Sequence, residues 1–168
     1  GVINLDLVGA GRLLADHLVD LGHRRIGYVG LERDKLTFLR RREALSDRLR
    51  ERGAAIAADS VVHHPSIEEG RLVGQRVLTE WVRAGVTAIV AADDLLAFGI
   101  LLASADLGVE IPRQLSLAGF NDVPYASMTR PTLTSVDLRA RELGICAAQS
   151  LQQLLGGTVP APVLLDTE

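Results

Sequence analysis

Apolar and polar positions along this chain fall into blocks whose period keeps switching. From Gly11 to Leu21, apolar Leu13, Leu14, Leu18 and Leu21 recur at helical spacing together with His17, and Gly22 supplies a residue free to take the positive φ that stops a helix. Arg25–Val29 is a short apolar strand. A polar loop follows, then a helix over about Thr37–Arg52 that ends at Gly53. Ser60–His63 reads as a strand, Glu68–Arg83 as a helix ending near Gly85, and Thr87–Ala91 as a buried strand. Asp93 or Asp94 caps a helix running to about Leu107, and Leu115–Phe120 is the next strand. Strands alternating with helices of this length, joined by short connections, predict an α/β fold. Its core is a Rossmann-like parallel sheet flanked by helices.

After Phe120 the rhythm changes. Asn121–Pro131 is a long loop carrying Pro124 and Pro131, and Thr132–Val136 is extended and β-branched. Leu138–Leu155 is a long helix with Leu143, Ala147, Leu151, Leu154 and Leu155 on one side. Gly156-Gly157 ends it, and Val163–Leu165 is a last strand. This tail reads as a crossing out of the first α/β unit, with a boundary near Thr132. No internal repeat or low-complexity stretch is present.

With 168 residues, one well-packed domain is comfortable and two would be cramped. The 48% apolar content provides a core, and 4% aromatics means that Leu, Val, Ile and Ala build it. A net charge of −3 lacks the basic footprint of a nucleic-acid binder. The lone Cys146 can form no internal disulfide, and no Cys-x-x-Cys exists; a reducing, cytoplasmic home is the simplest expectation. No apolar run approaches the roughly 20 residues of a membrane span, so no membrane partner is expected. The opening Gly1–Asp6 is too short and uncharged for a signal peptide. It reads as a strand already under way, as if cut from something longer.

A parallel α/β sheet binds ligands beyond the carboxyl ends of its strands. The loops to watch are therefore Gly30–Arg41, His63–Ser66, Asp93-Asp94 and Asn121-Asp122. In Asp93-Asp94, either both carboxylates cap the following helix, or one caps and the other accepts hydrogen bonds from a ligand. The acidic pair of a phospho-receiver domain does not fit, since that pair belongs near the first strand and needs a late lysine. Arg40-Arg41-Arg42 opens a helix on the same edge, and a guanidinium fork suits hydroxyls, carboxylates and phosphates. Arg40 and Arg42 read as solvated. His63-His64 lacks a third ligand at metal-binding spacing and reads as surface loop, while His17 and His23 read as structural. There is no Gly-x-Ser-x-Gly elbow and no Walker loop. Gly9-Ala10-Gly11 is a helix start, lacking the pattern and acidic partner of a dinucleotide fingerprint. Nothing points to an enzyme, a metal or a cofactor.

Several stretches together resemble the LacI/GalR family of bacterial transcriptional regulators. Asp6 with Gly11–Leu18 resembles the family's "D-x-x-x-G-G-R-x-A-x-x-H-L" start, and Leu21–Gly30 is similar to "L-G-H-R-R-I-x-x-I-G". Ala91–Gly99 resembles "A-x-N-D-x-x-A-x-G", Gly108–Asp122 resembles "G-x-x-V-P-x-D-x-S-V-x-G-F-D-D", and Pro131–Val136 resembles "P-P-L-T-T-V". Leu143-Gly144 lies in the usual "x-L-G-x-x-A" helix. The matches cover nearly the whole chain in order.

This resemblance implies a periplasmic-binding-protein-like fold of type I, with a small-molecule effector held between two subdomains. Residues 1–5 would end the N-terminal subdomain, 6–132 form the C-terminal effector-binding one, and 133–168 return to the first. The DNA-binding headpiece would lie outside this chain, which would meet operator DNA only through it. Effector contacts implied by the family are Lys35, Thr37, Arg41, Pro65, Asp93 and Asn121. Pro65 stands where a stacking aromatic is usual and Asn121 where aspartate is usual, so a plain hexose is a less secure expectation. Phe98, Leu101 and Leu102 lie on the helix that the family uses for homodimer contacts, and core packing is the other reading of all three. The rival reading is a periplasmic sugar-binding protein serving an ABC transporter. The long helix over 138–155 would normally pack on a sheet absent here, so it should find a neighbouring chain or leave the protein partly unstable.

Overall fold

The structure, a computed structural model, describes residues 2–32 and 36–168. Five parallel strands form the main sheet: β2 (Arg25–Leu31), β3 (Ala55–Val62), β4 (Ala88–Ala91), β5 (Ser116–Phe120) and β6 (Thr134–Val136), in the order β3-β2-β4-β5-β6. A separate two-stranded parallel pair joins β1 (Ile3–Leu5) to β7 (Val163–Leu165). Central strands need apolar side chains on both faces, and β2 and β4 have them: every residue from Ile26 to Leu31 and from Ala88 to Ala91 is buried.

Alternation along the strands sends successive residues to two cores. Ile26, Tyr28, Ala88, Val90, Ala118 and Phe120 meet α1 (Leu7–Asp20) and α2 (Leu36–Glu51) on one face. Val29, Ile89, Ala91 and Leu117 meet α3 (Ile67–Arg83) and α4 (Asp94–Leu107) on the other. The chain runs from β2 to β3 on one side and then to β4 on the other. The connections leaving the carboxyl ends of β2 and β4 therefore run to opposite faces of the sheet, the kind of switch point where such sheets take ligands.

Three expectations differ in detail. Helix α1 starts at Leu7, before Gly11, because the Asp6 carboxylate accepts from the Gly9 amide at 2.8 Å and caps it. Its buried face is Ala10, Gly11, Leu14, Ala15, Leu18 and Val19, while Leu13, His17 and Leu21 stay exposed. The small residues let α2 approach: a Cβ on Gly11 would lie 2.4 Å from the Arg41 carbonyl oxygen. Strand β3 begins at Ala55, five residues before Ser60, since an edge strand pairs on one side only and needs no apolar run. The main sheet takes in one strand past Thr132, as Thr134–Val136 pairs with Ala118–Phe120.

Helix α5 (Ala140–Leu155) lies against β1 and β7, and none of its residues is buried. Leu151, Leu154 and Leu155 are exposed.

Candidate ligand-binding site

Beyond the carboxyl ends of β4 and β5 the structure gathers three of the residues expected to bind ligand: Arg41, Asp93 and Asn121. Asp93 ends the β4 segment and caps α4, its Oδ1 accepting from the Leu95 amide at 2.8 Å. Its Oδ2 accepts from the Asn121 side-chain amide at 2.8 Å. Asn121 is placed for this by a positive φ of 110° directly after β5, with its backbone N–H bonded to the Val136 carbonyl at 3.0 Å. Asparagine tolerates that conformation better than most residues.

The motif pattern has Asn where this chain has Asp93, and Asp where it has Asn121. The two departures touch each other, so the exchange keeps one carboxylate and one amide in contact and only swaps their strands. The sequence reading remarked on Asn121 alone, because nothing in the chain order shows that these positions meet.

Asp94 has a different task. It is fully buried. Its Oδ1 accepts from the Ser135 hydroxyl at 2.7 Å and its Oδ2 from the Val123 amide at 3.0 Å, while the Asp122 amide donates to Ser135 Oγ at 3.0 Å. Asp94 thus ties the loop after β5 to β6 behind the site. Gly119 makes room for it, since a Cβ there would stand 2.3 Å from Asp94 Oδ1. Burial pushes the Asp94 carboxyl up to about 6, against the hydrogen bonds from Ser135 and Val123 that favour its charge. Asp93 thus caps α4 and meets Asn121, while Asp94 is a buried brace.

Arg41 reaches the site from α2 and is only 3% exposed. One nitrogen, Nη2, donates to the Ala92 carbonyl at 3.2 Å, while Nε and Nη1 are buried with no partner among the described residues. The guanidinium carbon lies over two aromatic rings, 4.8 Å from the centroid of Phe38 and 4.6 Å from that of Phe120. Burial pulls its pKa down, and electrostatic interactions with Tyr28, Asp93 and Asp94 act the other way. Phe38 is a contributor that the sequence reading missed. Its spacing, three residues before Arg41 on one helix face, was the available signal.

The remaining expected residues are placed less centrally. Thr37 is exposed in the first turn of α2, and Pro65 is half-buried in the loop after β3. Lys35 lies outside the described residues. Arg40 is exposed and Arg42 pairs with Asp59 at 2.9 Å, as solvated positions do. His63 pairs with Glu32 at 2.5 Å on the surface. Of the three residues on α4, Phe98 is buried in the core and Leu101 packs against it, while Leu102 is 49% exposed. Among the described residues no group of three or more potential ligands could hold a metal ion, and no helix is long and apolar enough to cross a membrane.

Residues 15–168 match the periplasmic binding protein-like domain family. The chain belongs to that family. Over 167 residues it is 33% identical to the HTH-type transcriptional regulator MalR of Streptomyces coelicolor, a match covering 95% of this chain and 46% of that protein. The HTH-type transcriptional repressor MelR of Bacillus subtilis is 29% identical over 175 residues, covering 98% of this chain and 50% of that one. Among solved structures, the transcription regulator GntR from Chromobacterium violaceum superposes with a TM-score of 0.89 at 30% identity, covering 99% of this chain and 62% of that chain. A LacI family regulator from Arthrobacter, crystallised with lactose, gives 0.85 at 25%, covering 100% and 64%. The resemblance to LacI-type regulators read from the motifs therefore stands, and the domain is of their effector-binding type. It spans about half the length of the curated relatives it matches.

Proposed function

We propose that this domain is the ligand-sensing core of a LacI-type bacterial transcriptional regulator, binding a sugar or related polar metabolite at the carboxyl edge of the β2–β6 sheet. The observation that carries this is the convergence of Arg41, Asp93 and Asn121 at that edge, in a chain whose relatives are transcriptional regulators. Arg41 supplies donors, Asp93 an acceptor and Asn121 both, the mixture that hydroxyl-rich molecules need.

The mechanism we infer is a shift between open and closed forms of the intact protein. A ligand can move that equilibrium only through its different affinity for the two forms. DNA would be met through a headpiece outside this chain, and the exposed Leu102 on α4 is a contact point for a second copy in a homodimer. No step of this is enzymatic, and the setting is cytoplasmic. The rival reading, a sugar-binding protein of a transporter, shares the fold, but the relatives matched over most of this chain are named as regulators.

The test is DNA-binding anisotropy on the full-length gene product, with and without a panel of sugars and sugar derivatives. DNA affinity that a panel member changes supports the reading. A full-length protein that binds no DNA overturns it.

A further inference from the structure

Resting on the sensor reading, the geometry points to an effector class: we propose that the ligand is a polyhydroxylated carboxylate, of the sugar-acid kind, whose carboxylate meets Arg41. Three observations converge. Arg41 is a buried cation with two N–H-bearing nitrogens, Nε and Nη1, that have no partner among the described residues. Its guanidinium carbon lies 4.8 Å from the ring centroid of Phe38 and 4.6 Å from that of Phe120, so two rings that offer these nitrogens no acceptor line the group. Among the described residues the nearby carboxylates do not fill that role: Asp93 accepts from Leu95 and Asn121, and Asp94 accepts from Ser135 and Val123.

A carboxylate answers this need better than a hydroxyl. It brings two acceptor oxygens and a full charge to a buried guanidinium, where charge-assisted bonds are strongest. Beside it the Asp93–Asn121 pair suits hydroxyl groups. Each Asp93 oxygen keeps acceptor capacity, and Asn121 keeps its Oδ1 and one amide hydrogen. The site thus holds an acid at one end and hydroxyls next to it. The pairing also explains the value of amide over carboxylate at position 121, since a second acid there would face the ligand's own charge.

The experiment is calorimetric titration of the full-length protein with two probes of one carbon skeleton, gluconate and the neutral hexitol glucitol. Gluconate is expected to bind at least about tenfold more tightly, as one charge-assisted contact provides. In Arg41→Gln the preference should shrink to within about twofold. Should that variant fail to fold, Asn121→Asp keeps Arg41 and adds negative charge, and it should weaken gluconate about tenfold. Equal or tighter binding of glucitol, or undiminished gluconate binding in Asn121→Asp, overturns the proposal. If neutral sugars bind and change DNA affinity while acids do not, the sensor reading survives and only the acid class fails. If no probe or sugar binds, both fail.

Discussion

The Asn121 side-chain amide donates to the Asp93 carboxylate at 2.8 Å, joining the ends of β5 and β4 across the candidate site. Because each residue stands where the motif pattern has the other's type, the contact can be tested by exchanging them. Asp93→Asn alone leaves two amides, and Asn121→Asp alone leaves two facing carboxylates. Each single change is expected to cost about 1–3 kcal/mol of effector binding. The double exchange Asp93→Asn with Asn121→Asp restores one amide and one carboxylate. It should recover about 0.5–3 kcal/mol relative to additivity, read by titration calorimetry across the four proteins. Simple additivity would show that the two side chains act separately.

Arg41 should be worth more to binding than to folding. Among the described residues its buried charge has one hydrogen bond and two unpartnered nitrogens, and it lies against two aromatic rings. Arg41→Met keeps an unbranched chain against Phe38 and Phe120 and removes the buried charge. Such replacements are often neutral or stabilising, by about 1–4 kcal/mol in favourable cases. The expected result is an unchanged or raised denaturation midpoint together with lost effector affinity. A midpoint lowered by several degrees would mean that the guanidinium stabilises the fold.

How much of this was legible in the sequence depended on whether the signal was local. The α/β order and the buried strand at 88–91 followed from period and punctuation, because an apolar run between Gly85 and Asp93 has few alternatives. Strand β3 was cut short, because Ala55–Asp59 lies on an edge where backbone pairing with β2 does the work. The expected helix stripe put Leu13 and Leu21 inside, whereas Gly11 and Ala15 face the core, since helix–helix approach rewards small residues over large ones. Site positions came from strand ends and from the motif resemblance. Their contacts did not: Asp93 with Asn121, and Asp94 with Ser135, are 28 and 41 residues apart.

The packing of α3 on α4 supplies a stability test far from the ligand. A Cβ on Gly99 would stand 2.1 Å from the Ile67 carbonyl oxygen and 2.5 Å from the Arg71 amide nitrogen, and one on Gly70 would stand 2.3 Å from the Leu96 carbonyl oxygen. These obstacles are backbone, so the helices themselves must move apart. Gly99→Ala is expected to destabilise by roughly 1–3 kcal/mol or more, despite the better helix propensity of alanine. Urea denaturation would show it, and Gly144→Ala, with nothing within 4 Å of the new Cβ, is the contrasting control expected to be neutral or slightly stabilising.

Asp94 sets the sign of a pH dependence that runs against the usual one for a carboxylate. Burial raises its pKa from 3.8 to about 6 in the folded protein. The folded state therefore holds this proton more tightly than the unfolded chain does, and deprotonation costs stability as pH rises from about 4 to beyond 6. A shift of this size corresponds to about 3 kcal/mol over the whole window, of which about 1–2 kcal/mol falls between pH 5 and pH 7.5. Asp94→Asn removes the titration while keeping the shape. It gives up at least one of the hydrogen bonds from Ser135 and Val123, because an amide nitrogen cannot accept. The difference in unfolding free energy, wild type minus variant, should thus be larger at pH 5 than at pH 7.5. A difference that stays constant, or that grows with pH as for an ordinary paired carboxylate, would show that Asp94 ionises freely in its buried place.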